Sequence, residues 1–283
     1  MKFASFRDAS GRTSFGVVLD GLAIGDLSTP DVPTLRAALA SWGIDGLLSR
    51  ARSARPDVRA GSYVWLPPVT DPDKILCVGL NYRLHAQEAG VGIPKYPSMF
   101  VRFPASQVGH ETTTVAPRAS EQYDFEAELA VVIGRGGWHI DAADAMAHVA
   151  GYACFAENSV RDFQKHAAQA TPGKNFHHSG AFGPWMVSAD EIADPGSMRI
   201  IGRLNGEVMQ DSTIGDLIFS IPELIAYASS FAELLPGDVI STGTPAGVGA
   251  ARKPPVWLKP GDVFEVDIDG VGVLRNPVSA EAA

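Results

Sequence analysis

Glu126 and Glu128 stand one residue apart inside the apolar run from Phe125 to Gly134. Successive side chains of a strand point to opposite faces, so the two carboxylates share a side. Burying two like charges together costs several kcal/mol unless something neutralises them. A hard divalent cation does so, taking oxygen ligands while keeping some of its water. A third carboxylate must then come from another element. Glu157 stands just past the apolar run Tyr152 to Ala156, at an expected strand-to-helix junction. The same pattern also fits an edge strand with its acidic residues turned to solvent, because alternation alone produces it.

Three further groups could act beside such a site. His85 and Glu88 lie three apart in the segment Asn81 to Glu88, so on a helix they share a face. A carboxylate there can orient an imidazole and support its charge, as a water-activating base requires. A surface His/Glu pair has the same spacing. Lys174, between Pro172-Gly173 and Asn175-Phe176, could be a fixed cation for a carboxylate or enolate, or a solvated side chain. Arg161 to His166 precedes it with several polar groups. In Ser241 to Gly249, glycines and threonines would let backbone N–H groups and a hydroxyl approach an anion, although a plain tight loop reads the same way. It is not a Walker loop, since the Gly-Lys-Ser/Thr ending is missing.

The elements that must hold these groups are short. The 283 residues include 29 glycines and 20 prolines, with 46% hydrophobic and 19% charged side chains, a globular composition rich in turns. A net charge of −9 without a basic block argues against a nucleic-acid partner. No apolar h-region opens the chain, and no stretch approaches the roughly 18 apolar residues of a membrane span, so a cytoplasmic location is expected. Cys77 and Cys154 lie in apolar surroundings and read as buried free thiols.

Strands are expected over Met1 to Ser5 and Phe15 to Leu19, and a helix capped by Thr34 over Leu35 to Leu39. Arginines 50, 52, 55 and 59 read as an exposed, loosely structured strip. Pro67 to Pro72 breaks any regular element, which divides the chain into residues 1–70 and 71–283. Beyond it we expect a buried strand over Lys74 to Gly79, a short helix over Tyr82 to Ala89, and strands within 97–115 and 123–134. Helices are expected over Ala142 to Val149, over Ser159 to Ala168 and from Pro222 to Phe231, with strands after the turns at Pro236 and Pro260. The fold class is α+β, built on a curled, mixed sheet.

The order of these pieces resembles the fumarylacetoacetate hydrolase family, in its short bacterial, acylpyruvate-hydrolase-like form, from about residue 72 to 278. The resemblance runs through Val78-Gly79-Leu80-Asn81-Tyr82 with His85 and Glu88, then Tyr123 to Ala130, Gly151-Tyr152, Ser159 with Arg161-Asp162, and Gly173-Lys174. Gly183-Pro184-Trp185, Ile218 to Ile225, Pro236 to Ile240 and Thr242-Gly243-Thr244-Pro245 complete it.

The resemblance implies a mixed β-roll that binds Mg²⁺ or Mn²⁺ through Glu126, Glu128 and Glu157. It implies a mobile lid in which His85 is the base and Glu88 its partner, with Gln164 and Lys174 touching substrate near the metal. Thr244, with Gly243, would hold a substrate carboxylate, and Tyr82 would help bind substrate. A homodimer is implied, and residues 1–70 resemble a small N-terminal domain placed to brace the lid. Three positions depart from the family pattern. Glu157 stands where Asp is usual, His177 where Asp is usual, and Arg102-Phe103-Pro104 where Lys-Pro is usual. Arg102 offers a bidentate clamp for a carboxylate and so favours an acidic substrate. The reaction expected is metal-dependent hydrolysis of a C–C bond in a small β-diketo acid of the acylpyruvate or fumarylpyruvate type. Oxaloacetate-type decarboxylation, isomerisation of a hydroxy-dienedioate, and non-catalytic ligand binding are the alternatives.

Overall fold

The strand Ala127–Ile133 is apolar along nearly its whole length because both of its faces are buried. A computed structural model describes residues 1–282 and places this strand deep inside an eleven-stranded mixed sheet. It pairs antiparallel with Val149–Ala156 on one side and with Val239–Ser241 on the other. Val239–Ser241 in turn runs parallel to Ile75–Gly79, and Ser98–Arg102 closes that edge. Leu129, Val131 and Ile133 enter one core, while Ala130 and Val132 enter a second on the opposite face.

The first core is closed by a five-stranded sheet in the order Glu207–Thr213, Arg199–Leu204, Val263–Ile268, Gly272–Ala280 and Thr114–Ala116. Ile200, Val266, Ile268 and Leu274 of that sheet pack on the side chains of the central strand. The second core is covered by the helix Leu35–Ala51, through Leu35, Ala38, Leu39, Leu47 and Leu48. Thr34 caps this helix, its hydroxyl accepting from the Ala37 N–H at 3.1 Å. The architecture is α+β, with few helices on mixed sheets.

The N-terminal residues join the same large sheet. Lys2–Asp8 pairs with Gly180–Ser188 through Phe3 opposite Met186, and with Thr13–Val18 on its other side. Tyr63–Leu66, four strand-forming residues before the prolines, adds a strand that the broken composition around it concealed. The capped helix continues past Leu39 to Ala51 across a kink at Gly43, so Arg50 closes a helix and stacks on Trp42. Ser159 to Ala168 is not one helix. Ser159–Val160 pairs instead with Tyr123–Asp124, and only Arg161–Gln164 turns helically. Ala142 to Val149 reduces to the 3-10 turn Ala145–His148. Ile221–Phe231 forms with Pro222 in its first turn and a Ser220/Glu223 capping box. Cys77 and Cys154 are buried and unpaired with each other. Among the described residues no helix is long and apolar enough to cross a membrane.

Candidate metal centre and its cavity

Ala127 lies opposite Ala156 in the ladder, so Glu126 and Glu157 are cross-strand neighbours at the same end of the sheet, joined by a 2.9 Å bond from the Glu157 N–H to the Glu126 carbonyl. Glu128 follows on the same face as Glu126. One carboxylate oxygen from each of the three lies within 4.8 Å of the others. Glu126 and Glu128 are only 4% and 2% exposed, which excludes the solvated-edge reading of the pair.

Each carboxylate is fixed separately. Glu128 Oε2 accepts from Ser241 Oγ at 2.6 Å and from the Gly243 N–H at 2.9 Å. Gly243 has φ +109°, and a Cβ there would stand 2.7 Å from the Asn81 Cβ, so only glycine lets this backbone pass. Glu126 Oε1 accepts from Ser159 Oγ and from Lys174 Nζ, the latter at 3.0 Å. Glu157 is held on one oxygen by Lys174 and on the other by Arg102 Nη1 at 3.1 Å.

Burial pushes the Glu126 carboxyl up, but Arg161 and Lys174 outweigh it and hold it down at about 2. Burial drives Glu128 well above the usual carboxylate range, with Glu157 and Glu126 adding to the rise. Burial also raises Glu157, against the pull of Lys174. Burial pulls Lys174 down, yet Glu126 and Glu157 hold it above the ordinary lysine range.

Above the triad lies a cavity of about 520 Å³. His85, Glu88, Arg161, Gln164, Lys174 and Thr244 line it together with the three glutamates. His85 and Glu88 lie on the short helix Arg83–Glu88, with Nδ1 of the imidazole 3.0 Å from Glu88 Oε2. The other Glu88 oxygen accepts from the Gly247 N–H at 3.0 Å. Thr244 Oγ1 donates to the Ala127 carbonyl and accepts from Gln210 Nε2.

Three residues expected to bind substrate stand elsewhere. Arg102 is fully buried behind Glu157, outside the cavity lining, and its donors go to Glu157, the Asn158 carbonyl, Ser106 and Ser179. That geometry suits holding Glu157 rather than clamping a substrate carboxylate. Gly243 spends its N–H on Glu128. Tyr82, at the N-cap of the helix Arg83–Glu88, is buried outside the lining with its hydroxyl unpartnered. His177 is exposed, stacked on His178.

Arg161 had no assigned role in the sequence, yet it lines the cavity. Its Nε donates to Asp124 at 2.8 Å, Nη1 to Gln164 Oε1 at 3.0 Å, and Nη2 stands 3.0 Å from Glu126 Oε1 without a hydrogen bond. Its place depends on the turn that follows Ser159–Val160, which no periodicity announces.

The residues fit a divalent cation. Four buried carboxyls (Asp124, Glu126, Glu128, Glu157) face three buried cations (Arg102, Arg161, Lys174). Full ionisation leaves one negative charge, borne most uneasily by Glu128. An ion such as Mg²⁺ or Mn²⁺ would relieve that repulsion and turn the site net positive, toward an anionic ligand.

Residues 74–279 match the family model for the fumarylacetoacetate (FAA) hydrolase C-terminal region. A mitochondrial oxaloacetate tautomerase of Rattus norvegicus, Fahd2a, is 42% identical over 265 residues, spanning 91% of this chain and 84% of its own. Among solved structures, a fumarylacetoacetate hydrolase from psychrophilic Exiguobacterium antarcticum superposes with a TM-score of 0.81 at 32% identity, over 99% of this chain and all of its own. A maleylpyruvate hydrolase of Sphingobium sp. SYK-6, in complex with manganese(II) and pyruvate, gives 0.81 at 27% identity over the whole of both chains. The chain belongs to the fumarylacetoacetate hydrolase family. Its members act on keto acids, and the reaction distinguishes one from another.

Proposed function

We propose that this chain interconverts the enol and keto forms of a small dicarboxylic α-keto acid of the oxaloacetate type. The observation that carries the reading is the placement of the His85–Glu88 dyad over the carboxylate triad in one cavity. Held by Glu126, Glu128 and Glu157, Mg²⁺ or Mn²⁺ would polarise the keto and carboxylate oxygens of the substrate and lower the energy of its enolate. His85 removes a proton from the carbon beside the keto group, or returns one to it, while the enol oxygen exchanges its own proton with solvent. Glu88 orients the imidazole and supports its charge. Lys174, Gln164 and Arg161 face the negative charge that develops on the substrate oxygens, where a single donor is worth about 10²–10³ in rate. The similarity to the rat tautomerase over most of the chain supports this reaction over its competitors.

Hydrolysis of an acylpyruvate, the reaction expected from the sequence, is the second reading. It is favoured by the likeness to the maleylpyruvate hydrolase, and in it His85 deprotonates water instead of carbon. One assay decides. With Mn²⁺, the protein should accelerate loss of the oxaloacetate enol absorbance beyond the metal-only rate without forming pyruvate. Stoichiometric pyruvate from oxaloacetate would mark a decarboxylase. Cleavage of acylpyruvates without any tautomerase rate would mark a hydrolase, and either result defeats the leading reading. Tight calorimetric binding of keto acids with no turnover would mark a binding protein. The reading extends to a homodimer in solution, supported by the exposed Leu84, Ile93, Tyr96 and Phe103 and checked by sedimentation velocity.

A further inference from the structure

Glu88 is divided between two partners. Oε2 faces His85, while Oε1 accepts from the backbone N–H of Gly247 in the loop after Val239–Ser241. That N–H is the hydrogen-bond donor from the loop that meets the lid dyad, so the direction of one peptide group decides whether the closed lid has a catch.

The Gly247 N–H lies in the Ala246–Gly247 peptide and its carbonyl in the Gly247–Val248 peptide, and the conformation of Gly247, set from outside the cavity, couples the two. Gly247 has φ +103°, and a Cβ would stand 2.1 Å from the Met209 carbonyl, so the loop runs hard against the strand Glu207–Thr213. Half-buried Arg252 bridges the two backbones. Its Nε donates to the Gly247 carbonyl at 3.2 Å and its Nη2 to the Met209 carbonyl at 2.8 Å. The strand is itself anchored, because Gln210 accepts from the Ala127 N–H and donates to Thr244 Oγ1 and the Pro245 carbonyl. Asp124 independently holds the Gly249 and Ala250 N–H groups. The loop therefore keeps other anchors without Arg252, whereas among the described residues the Gly247 carbonyl accepts from Arg252 alone.

We propose that Arg252 is a positioning residue for the lid: by tying the Gly247 carbonyl to the Met209 carbonyl, it fixes the backbone conformation at Gly247, and through it the adjoining Ala246–Gly247 peptide whose N–H meets Glu88, and so completes the dyad only when the lid is down. Arg252 touches no reacting atom. It acts through Gly247 on Glu88, and through Glu88 on His85. The inference rests on the His85–Glu88 dyad being the proton-transfer group, but not on which keto acid is turned over.

The test is hydrogen–deuterium exchange of peptides covering residues 82–92 in the Mn²⁺-loaded protein, with Mn²⁺ affinity by calorimetry and kcat alongside. Arg252→Ala should speed lid exchange about tenfold, as expected for losing one charge-assisted catch, and lower kcat to a similar extent. Mn²⁺ affinity should stay within about twofold, because no triad ligand is touched. Glu88→Ala should speed exchange as much, and the double variant no further, since both remove one catch. Arg252→Lys, which keeps the charge and one donor, should fall between and carries the test if the alanine variant is too unstable to load metal. Unchanged lid exchange, additive effects in the double variant, or a fall in Mn²⁺ affinity matching the fall in kcat would each overturn the proposal. Exchange reads the lid directly. A protein that fails the oxaloacetate assay but shows the non-additive exchange therefore loses the tautomerase reading and keeps this one.

Discussion

The carboxylates on the cavity floor and the dyad on its lid differ in how many independent contacts fix them. Glu126 and Glu128 are carried by the central strand pairing of the large sheet, and a serine hydroxyl supports each of them. Glu157 is gripped from both sides by Arg102 and Lys174. His85 rides on a six-residue helix whose Leu84 is 64% exposed, and the partner of its Nδ1 is Glu88, tied in turn to a loop backbone. The floor is preorganised by the core before any ligand arrives. The dyad's place over the floor rests on the bond from the Gly247 N–H to Glu88. For the proposed enolate chemistry that division is an advantage, because the ion site must not relax while the proton-transfer group must admit substrate and release product.

The most damaging change should be on the floor. Glu128→Gln keeps the shape of the side chain and its bonds to Ser241 and Gly243 but removes an anionic ligand. Mn²⁺ affinity should fall by at least about a hundredfold, the upper end of the cost of losing even an outer partner, and turnover should vanish. The metal-free variant should also melt higher than the metal-free wild type, because a carboxyl raised by burial and by two acidic neighbours has been replaced by a neutral group. Equal melting temperatures would mean that the floor carries no such repulsion. His85→Ala attacks the lid instead. Here kcat should fall about 10²–10⁴-fold with Mn²⁺ affinity intact, as for a lost general base. A matching loss of metal affinity would erase the distinction between floor and lid.

The floor was more legible than the lid for a physical reason. Alternation places Glu126 and Glu128 on one face whatever surrounds them, and the apolar run about them needs a doubly buried strand. The spacing of His85 and Glu88 also follows from helical geometry, but their catch on Gly247 is a contact across 159 residues that no local pattern encodes. Arg161 was hidden similarly. The Ser159–Val160 pairing with Tyr123–Asp124 overrides helical character over Ser159 to Ala168 and turns Arg161 inward. Arg102 shows the opposite ambiguity. Its type fits a substrate carboxylate and a protein carboxylate equally, and only the packing of Glu157 against it separates the two.

That ambiguity yields the next test. Arg102→Lys should lower Mn²⁺ affinity about tenfold, within the range for a partner that orients a metal-ligating carboxylate, and leave KM nearly unchanged once metal is saturating. A lysine cannot reproduce the donors that Arg102 gives to Glu157, the Asn158 carbonyl and Ser179 together. A rise in KM at saturating Mn²⁺ with normal metal affinity would restore the clamp reading and move Arg102 from floor support to substrate recognition.

The smallest effect should come from outside both regions. Thr34 caps the helix Leu35–Ala51, whose buried side chains join the core on the face of Ala130 and Val132. Thr34→Ala should cost about 1 kcal/mol of stability, the usual value for a lost cap, read as a lower denaturant midpoint. The same core contains Ala150, Phe155 and Cys77 and no lid residue, so the loss should be spread through the sheet and leave kcat and Mn²⁺ affinity as they were. A fall in kcat at unchanged metal affinity, with lid peptides exchanging faster, would show that the N-terminal segment braces the lid. The contrast would then need a third member, since part of the lid's closed state would be stored in a helix that packs on the far side of the sheet.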